Sequence, residues 1–404
     1  MTKLRVQSFT AFIPAPGQEQ RIPTYGSGKR PQSDLEALAK QEPNSYIMVV
    51  KPQFLDPAIE QGTDQFYDAS KSHLDQLIQS ESLLTLTDAM FLYEQQQPGI
   101  APLRGIVLAV GAENCADGSV KKHENVLQSK AGRLVKHIAV LKSISEPVLL
   151  TQKLPESIKS WLHEPRETVA LVENTDVFGF VHRIWLLSEE EQQRVVEGFG
   201  GLDSLYIADG HHRVAGVSQY LTESGNPGNH GLMSLVMDQD DLLIKSFHRV
   251  IKGFDACDIE SYLKDNGVEY RKVVDLSSNP LPEKNQAMAI TAEGSYIFSL
   301  GEVRAEDNAV EQLEVSRVES GIIKSVFGIE NTSNDPRISF MRGDTPLVQM
   351  KSMIAQGDCC CVFVLPANSF QQVEAVADQQ LTMPPKSTWV EPKLLTGFLS
   401  QRFD

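Results

Sequence analysis

The sequence predicts an α/β to α+β protein, and three observations support this fold class. Apolar runs of strand length alternate with amphipathic helical segments along the chain. Glycine, proline and asparagine turns separate many of these runs. With 404 residues, of which 41% are hydrophobic, the chain is long enough for two or three domains. We place mixed α/β regions at residues 1–98 and 256–404, on either side of a central domain at 99–255.

The N-terminal region is predicted to begin with an irregular segment, because prolines and glycines are frequent between residues 14 and 31. A helix follows in SDLEALAKQ, with Ser33 as its cap. The apolar segment SYIMVVKP predicts a strand. Helical spacing predicts two further helices, one from Gln65 to Gln79 and one around Thr87.

The central region is predicted to open with a hairpin, in which a turn at 95–99 joins FLYEQ to LRGIVLAVG. The spacing of Leu134, Ile138 and Leu141 predicts an amphipathic helix that carries several basic residues. PVLLTQ is the next predicted strand. TVALVEN and GFVHRIWLLS are predicted to form a second hairpin, which a helix from Glu189 to Glu197 follows.

The C-terminal region alternates predicted strands and helices in the same way. Three consecutive cysteines, Cys359, Cys360 and Cys361, begin the apolar segment CCCVFVLP, which predicts a buried strand. Consecutive cysteines do not have the spacing of a structural zinc site. Because the region shows no spacing typical of metal ligands or a nucleophile, we expect it to have a structural or specificity role.

Composition limits the partners of this protein. A formal charge of −16 disfavours nucleic acid and anionic membranes as partners. The sequence has no apolar run of about 20 residues, the length that a spanning helix needs. Its first residues lack the apolar stretch and cleavage site of a secretion signal. We therefore expect a cytoplasmic protein without a membrane partner, and the five cysteines agree with a reducing compartment.

The densest cluster of reactive side chains lies in YIADGHHR, which ends in Asp209, Gly210, His211, His212 and Arg213. Apolar residues before it predict a strand, and apolar residues after it predict a helix. A helix N-terminus offers free N–H donors and the positive end of a dipole. Gly210 allows a ligand to approach the backbone closely, and Arg213 offers two parallel N–H donors. The pattern predicts an anion site, and phosphate is the anion that fits it best.

A simpler role for Asp209 is to cap the helix, with the two histidines on the surface of its first turn. That role explains one residue of the five. It leaves the adjacent histidines and the arginine at the end of a strand unexplained, so we favour a functional site.

A second polar cluster, Lys122, His123 and Glu124, precedes the basic helix. A carboxylate among cations stays ionised and can accept a proton from a substrate hydroxyl. A solvated helix face is the alternative for the basic residues of that helix.

In the second hairpin, strand alternation places Arg183 and Trp185 on one face and His182 on the other. The pair could bind a ligand together, or it could simply be part of a half-buried strand face.

These segments together resemble a known layout. The order His123-Glu124, basic helix, PVLLTQ and YIADGHHR is similar to that of the ParB/sulfiredoxin-like superfamily, and especially of its free L-serine kinases. Most of the chain resembles the bacterial domain of unknown function 1015 family, through EPNSYIMVVKP, GSVKKHENV, YIADGHHR, SFHRVIKG and MPPKSTWVEPKLLTG. The resemblance implies a ParB/sulfiredoxin-like fold for the central domain, with catalytic function.

The kinase resemblance implies nucleotide-dependent phosphoryl transfer to free L-serine, with ATP or ADP as donor and Mg²⁺ as cofactor. Glu124 would be the general base, and Asp209 would orient the acceptor or hold Mg²⁺. Phosphate and nucleotide would be bound by Lys122, His123, Gly210, His211, His212 and Arg213. Secondary or substrate contacts would come from Arg133, His182, Arg183, His248, Arg249 and Lys386, although the loop around Lys386 could also be only a rigid turn.

Three other functions stay open. A phosphatase could act on phosphoserine through the same pocket, with water in place of the serine hydroxyl. A non-enzymatic nucleotide-binding regulator is permitted by ParB kinship, but the negative charge and the lack of a helix-turn-helix pattern argue against it. A metal hydrolase would need His123, His211, His212 and His248. Adjacent histidines in one turn do not both reach one metal easily, so we expect no metal cluster of protein ligands. The oligomeric state is not predicted.

Overall fold

The structure, a computed structural model, describes residues 3–26, 29–224, 231–254 and 257–403. The chain divides into two compact units. The first consists of Met1–Lys121, Asn125–Leu242 and Pro392–Asp404, and the second of Lys122–Glu124 and Leu243–Glu391. Both units mix helices and sheets, as the fold class predicted from the sequence requires.

Helices occur in both units. In the described residues they are α1 (Gln32–Gln41), α2 (Ile47–Val50), α3 (Asp64–Gln79), α4 (Ala112–Ala116), α5 (Gln128–Leu141), α6 (Glu156–His163), α7 (Glu189–Phe199), α8 (His211–Glu223), α9 (Ile259–Asp265), α10 (Glu314–Val318), α11 (Lys324–Phe327), α12 (Leu347–Ala355) and α13 (Phe370–Asp378).

The strands are short. Over the same residues they are β1 (Val6–Gln7), β2 (Phe9–Pro14), β3 (Leu83–Ala89), β4 (Phe91–Gln96), β5 (Leu103–Gly111), β6 (Val120–Lys121), β7 (Ser143–Ile144), β8 (Val148–Gln152), β9 (Val172–Thr175), β10 (Val181–Leu186), β11 (Leu205–Asp209), β12 (Gly231–Asp238), β13 (Leu243–Lys245), β14 (Phe247–Ile251), β15 (Tyr270–Lys272), β16 (Gln286–Thr291), β17 (Ser295–Ser299), β18 (Ile338–Arg342), β19 (Cys361–Val364), β20 (Trp389–Glu391) and β21 (Ser400–Arg402).

A mixed sheet forms the centre of the first unit, in the order β6-β11-β8-β12-β5-β4-β10-β9, with β1 also paired to β5. Strand β11 runs parallel to β6 and antiparallel to β8, and β12 runs parallel to β8. Almost every residue of β5 and β12 is buried, which accounts for their continuous apolar sequences. The sheet includes strands from either side of residue 98, so that predicted boundary does not separate two sheets.

A smaller sheet of the first unit brings distant parts of the chain together, in the order β3-β2-β21-β7. Strand β21 lies between β2 and β7 and is antiparallel to both. A nearby apolar cluster contains Phe12, Tyr46, Leu74 and Leu141. This packing fixes the C-terminal segment against residues from the beginning of the chain.

The second unit is built on a sheet in the order β15-β17-β16-β19-β14-β18, beside the pair β13-β20. Successive residues of β19 lie on opposite faces of this sheet. Cys361 and Phe363 belong to the apolar cluster that includes residues of α10 and α13, whereas Val362 and Val364 belong to the cluster that includes residues of α12. The buried strand predicted in CCCVFVLP is therefore confirmed, and its cysteines are free thiols.

Three local predictions are wrong. SYIMVVKP forms α2 and a following turn instead of a strand. Its apolar residues are buried in this helical turn. The segment around Thr87 lies in β3, whose alternating sequence pairs with β2, and not in a helix. Helix α1 exists, but Pro31 is its N-cap and Ser33 lies inside it. No helix of the described residues is both long and apolar enough to span a bilayer.

Candidate functional site

The motif around Asp209 lies where a strand ends and a helix begins. The pairing of β11 with β8 shifts register between Ile207 and Asp209, and such bulges redirect the side chains that follow. Gly210 then adopts φ +103°, a left-handed conformation that L side chains rarely take. A Cβ atom at Gly210 would lie 3.0 Å from Nε of Arg213. Glycine is therefore favoured here by the backbone conformation, and a side chain would also displace the end of Arg213 by a few tenths of an ångström.

Asp209 is held by two cations. Nη2 of Arg213 donates to Oδ2 at 2.8 Å, and Nζ of Lys393 donates to Oδ1 at 2.6 Å. Burial raises the pKa of Asp209, but the charges of Lys393 and Arg213 outweigh it and hold the pKa below its usual value. Asp209 is therefore ionised at neutral pH. The helix N-cap is Gly210, without a side-chain cap, so Asp209 does not have the capping role considered as an alternative.

Glu146, just before β8, is the second carboxylate near Arg213. Its Oε1 lies 3.1 Å from Nη1 of Arg213, and its Oε2 accepts a hydrogen bond from Thr396 at 3.3 Å. Nη1 of Arg213 also donates to the carbonyl oxygen of Pro147. Burial raises the pKa of Glu146, and the neighbouring charge of Asp209 adds to this increase, while Arg213 opposes it. We call Glu146, Asp209, Arg213 and Lys393 the carboxylate cluster.

In the carboxylate cluster, the pKa of Asp209 is lowered and the pKa of Glu146 is raised. Environments that push the pKa values of two neighbouring acids apart are typical of sites that need both an ionised and a protonated group. The guanidinium of Arg213 is occupied by the two carboxylates and a carbonyl group. It therefore positions the carboxylates in this structure, and the prediction that Arg213 also binds phosphate stays a prediction. Lys393 is the second cation bound to Asp209.

The two histidines of the motif differ in their surroundings. His211 is buried, whereas His212 is half-buried. Burial lowers the pKa of His212, and the charge of Lys130 on α5 lowers it further, so the ring is neutral at pH 7. The Nδ1 atom of His212 has no hydrogen-bond partner among the described residues. Both residues lie in the first turn of α8, where backbone N–H groups lack intrahelical acceptors.

The second polar cluster, residues 122–124, belongs to the second unit. Lys122 is exposed, Glu124 is half-buried, and His123 is buried. The backbone carbonyl of His123 accepts a hydrogen bond from the N–H of Met383 at 2.9 Å. Asp209 belongs to the first unit, and the prediction that Glu124 shares a substrate with it stays a prediction.

His182 and Arg183 of β10 both make polar contacts with other side chains. His182 is fully buried, with Nδ1 2.8 Å from the hydroxyl of Tyr93 and Nε2 3.2 Å from Oδ2 of Asp176. Arg183 pairs with Glu173 at 2.6 Å and with Glu94 at 2.9 Å. The contacts of Arg183 are those of a half-buried strand face, the alternative considered for it, and the prediction that His182 and Arg183 contact a ligand stays a prediction.

His248, Arg249 and Lys386 lie in the second unit. Arg249 is fully buried, and its Nε donates to Oε1 of Glu319 at 2.7 Å. Its Nη atoms donate to the carbonyl oxygens of Lys386 at 2.8 Å and Pro385 at 3.1 Å. The side chain of Lys386 itself is exposed. Arg249 thus fixes the backbone of this loop, which agrees with the rigid turn considered for it.

His248, adjacent to Arg249 in β14, is also buried. Its Nδ1 accepts a hydrogen bond from the N–H of Leu365 at 3.2 Å. Burial lowers the pKa of His248 to about 4, and the charge of Arg249 contributes to the decrease. The ring is therefore neutral at physiological pH and packs inside the second unit.

Glu146 and Lys393 are the members of the carboxylate cluster that the sequence did not predict. Glu146 precedes the predicted strand PVLLTQ, and Lys393 lies in the segment WVEPKLLTG. The only signal for Lys393 was its place in a segment that carries the family resemblance, in which Lys386 was the residue selected. Lys393 is 184 residues from Asp209 along the chain, so no local pattern could connect them.

Comparisons with solved structures give similarities of low score. A free serine kinase in complex with AMP is 16% identical, with a TM-score of 0.37, and the alignment covers 70% of this chain and 87% of that one. A conserved hypothetical protein from Pyrococcus furiosus is 16% identical, with a TM-score of 0.34 and coverages of 70% and 90%. SbnI with a C-terminal truncation, from Staphylococcus aureus, is 14% identical, with a TM-score of 0.35 and coverages of 70% and 82%.

At these TM-scores the similarities support no statement about activity, and the ParB/sulfiredoxin-like assignment of the central domain stays a prediction. The comparison with curated proteins gives no match. A family model described as a protein of unknown function, DUF1015, matches residues 28–316. Since this match covers most of the sequence, the chain belongs to the DUF1015 family of proteins of unknown function.

Proposed function

We propose that the protein transfers a phosphoryl group from ATP or ADP to the hydroxyl group of a small metabolite, with free L-serine as the acceptor. The observation that carries this proposal is Asp209, held ionised between Lys393 and Arg213 at the first turn of α8. Phosphoryl transfer depends mainly on positioning and on neutralising charge. An ionised carboxylate, a lysine and a helix N-terminus supply those two functions in one place.

Each group of the motif has a distinct role in this proposal. The N–H groups of Gly210, His211 and His212 would donate to the oxygens of the transferring phosphate. Lys393 would neutralise part of its charge. Arg213 is a positioning residue, because its guanidinium already holds both carboxylates of the cluster.

Glu124 is proposed as the general base, on the evidence of the sequence. The serine hydroxyl oxygen forms a bond to phosphorus while the bond between phosphorus and the nucleotide oxygen breaks. The hydroxyl proton passes to the carboxylate of Glu124, and the nucleotide leaves one phosphate shorter. Lys122 and His123 would contact the nucleotide.

Mg²⁺ is the cofactor that the proposal implies, and Asp209 is the residue that would hold it. An ionised carboxylate is a ligand that Mg²⁺ prefers, and each of its oxygens has a second lone pair beside the bond to Lys393 or Arg213. When bound, Mg²⁺ would neutralise charge on the phosphates of the nucleotide.

Phosphorus NMR tests the proposal directly. Purified protein is incubated with L-serine, Mg²⁺ and either ATP or ADP, and a phosphoserine signal is expected. Asp209→Asn keeps the shape of the side chain but removes its charge, so we expect the rate to fall by about 100-fold or more. Asp203→Asn makes the same change at an exposed position outside the cluster and should leave the rate unchanged. Normal turnover in Asp209→Asn would overturn the site assignment.

The role of Glu124 has its own test. Glu124→Gln should lower the rate by about 10²- to 10⁴-fold, because the acceptor hydroxyl then loses its base. The matched control is Glu306→Gln, an exposed carboxylate of the same unit. A rate that falls equally in both variants would contradict a specific role for Glu124. A rate that falls only in Asp209→Asn would keep the phosphate site and reassign the base.

A phosphatase acting on phosphoserine is the second candidate, and Glu146 favours it. Because the pKa of Glu146 is raised, this residue could donate a proton to the leaving serine oxygen while Asp209 stays ionised. Incubation with phosphoserine alone separates the two functions. Release of inorganic phosphate would support the phosphatase. Nucleotide binding without any reaction would instead support the regulator.

A further inference from the structure

A cavity of about 720 Å³ lies in the first unit, and its lining comes from residues 30–61. Its volume is within the range of small-molecule sites, about 300–1,000 Å³. None of its lining residues belongs to the carboxylate cluster. We call it the basic cavity, because its lining includes Arg30, Lys40 and Lys51 but only one carboxylate, that of Glu36.

The positive charge of the basic cavity is not balanced by the protein. Glu36 accepts a hydrogen bond from the side chain of Gln32 at 2.6 Å. Among the described residues, no ion pair joins Arg30, Lys40 or Lys51 to a carboxylate. In a chain of net charge −16, these cations give the cavity a local positive charge, which favours an anionic ligand.

Lys51 and Arg30 are half-buried, whereas Lys40 is exposed. Burial lowers the pKa of Lys51, and the charge of Arg133 on α5 lowers it further. An uncompensated cation in a partly buried position destabilises the folded protein. Proteins retain such groups at sites where a ligand of opposite charge compensates them. Arg133, expected from the sequence to contact a substrate, thus adds its charge near this cavity.

The other walls of the basic cavity indicate what else the ligand contains. Oε1 of Gln53 is buried and has no hydrogen-bond partner among the described residues, so it is an acceptor without a donor. Phe54 and Ile59, which are both half-buried, supply apolar surface. A ligand that satisfies all three features has an anionic group for the cations, an N–H or O–H donor for Gln53, and a flat or apolar body.

We propose that the basic cavity binds an organic phosphate of the nucleoside phosphate type, as a ligand site separate from the carboxylate cluster. The phosphate would pair with Lys51 and Arg30, the base would pack on Phe54 and Ile59, and a ribose hydroxyl or base N–H would donate to Gln53. This site does not depend on the proposed phosphoryl transfer, because it shares no residue with the carboxylate cluster.

Calorimetric titration of the full chain with AMP, and separately with inorganic phosphate, tests the site. We expect AMP to bind and phosphate to bind more weakly, because phosphate alone makes no use of the apolar walls or of Gln53. Lys51→Gln should weaken AMP binding by at least about tenfold, as expected for loss of a charge-assisted contact. Lys153→Gln removes one charge from an exposed lysine outside the cavity and should leave the affinity unchanged.

A second readout separates loss of the site from loss of the fold. Because Lys51 is uncompensated without ligand, Lys51→Gln should melt at a higher temperature than the wild type when no ligand is present. A variant that melts higher but binds AMP less tightly supports the site. Absence of AMP binding in the wild type, or unchanged AMP affinity in Lys51→Gln, would overturn it.

The variant Asp209→Asn distinguishes this inference from the proposed function. If AMP binds in the basic cavity, its affinity there should be unchanged in Asp209→Asn and should fall by at least about tenfold in Lys51→Gln. The reverse pattern would mean that AMP binds only at the carboxylate cluster. That result would overturn the inference and support the proposed function.

Discussion

At the scale of single residues, the carboxylate cluster shows which side chains a sequence reveals. Asp209, Gly210 and Arg213 could be predicted because they lie within five positions of one another, where a polar segment directly follows an apolar strand. Glu146 and Lys393 could not, because an isolated Glu and an isolated Lys have no local pattern. Only the pairing of β11 with β8 and the return of the C-terminal segment bring them to Arg213 and Asp209.

Glu146 provides a prediction about pH. The folded protein holds its pKa above the ordinary value of about 4.3. The wild type therefore has the full benefit of the protonated side chain below pH about 4, and loses it as the pH rises through the raised pKa. Glu146→Gln cannot ionise, so its melting temperature relative to the wild type should increase over that window and then level off.

The measurement is a series of thermal unfolding curves between pH about 4 and 8. Glu197→Gln, an exposed carboxylate of the same unit, is the control and should show a constant difference. A constant difference for Glu146→Gln as well would mean that its pKa is not raised.

At the scale of elements, most helices and strands followed from periodicity, and the errors occurred where periodicity is ambiguous. The long amphipathic helix α3 was predicted almost to its ends, and α5 was predicted from the spacing of Leu134, Ile138 and Leu141. SYIMVVKP contains a short apolar run, and a run of that length does not distinguish a buried strand from a buried helical turn. The strand β3 was mistaken for a helix, although its alternation of Leu and Thr is typical of a strand.

Helix α8 provides a prediction about glycine. In Gly210→Ala, the alanine must adopt φ +103°, and its Cβ lies 3.0 Å from Nε of Arg213. We therefore expect the free energy of unfolding to fall by about 1–3 kcal/mol and Arg213 to be displaced. Gly132→Ala is the matched control. It lies inside α5 with no atom within 4 Å of the new Cβ, and should stabilise the protein by about 0.5–1 kcal/mol.

Urea unfolding of the two variants measures both effects, and the rate of the proposed phosphoryl transfer to L-serine measures the displacement. Equal stability of Gly210→Ala and the wild type would show that the turn before α8 accepts an L side chain. The presence of glycine at this position would then be explained only by the close approach of a ligand to the backbone.

At the scale of the whole molecule, each unit depends on contacts between residues far apart in the chain. In the second unit, Arg249 on β14 holds the carbonyl oxygens of Pro385 and Lys386 and pairs with Glu319. The pair is desolvated, since the Arg249 side chain is 0% exposed and that of Glu319 is 12% exposed. Removing one partner of a buried pair leaves the other charge uncompensated.

Arg249→Leu should therefore destabilise the second unit by about 3–5 kcal/mol. Hydrogen exchange of the backbone amides of β14 and β19 measures the loss of protection. Lys324→Leu is the control, because the side chains of Lys324 and its partner Glu330 are 52% and 71% exposed, and a surface ion pair contributes about 0–1 kcal/mol. Similar exchange in the two variants would show that Arg249 does not hold the loop.

The return of the C-terminal segment to the first unit has a consequence for biosynthesis. A ribosome makes the segments 1–121 and 125–242 first, then the main part of the second unit, and only afterwards Lys393 and β21. Until then the nascent chain has Asp209 without its lysine and β2 paired only with β3. Translation of residues 393–402 is therefore the event that completes both the small sheet of the first unit and the carboxylate cluster, and polypeptides released before residue 393 would lack this site.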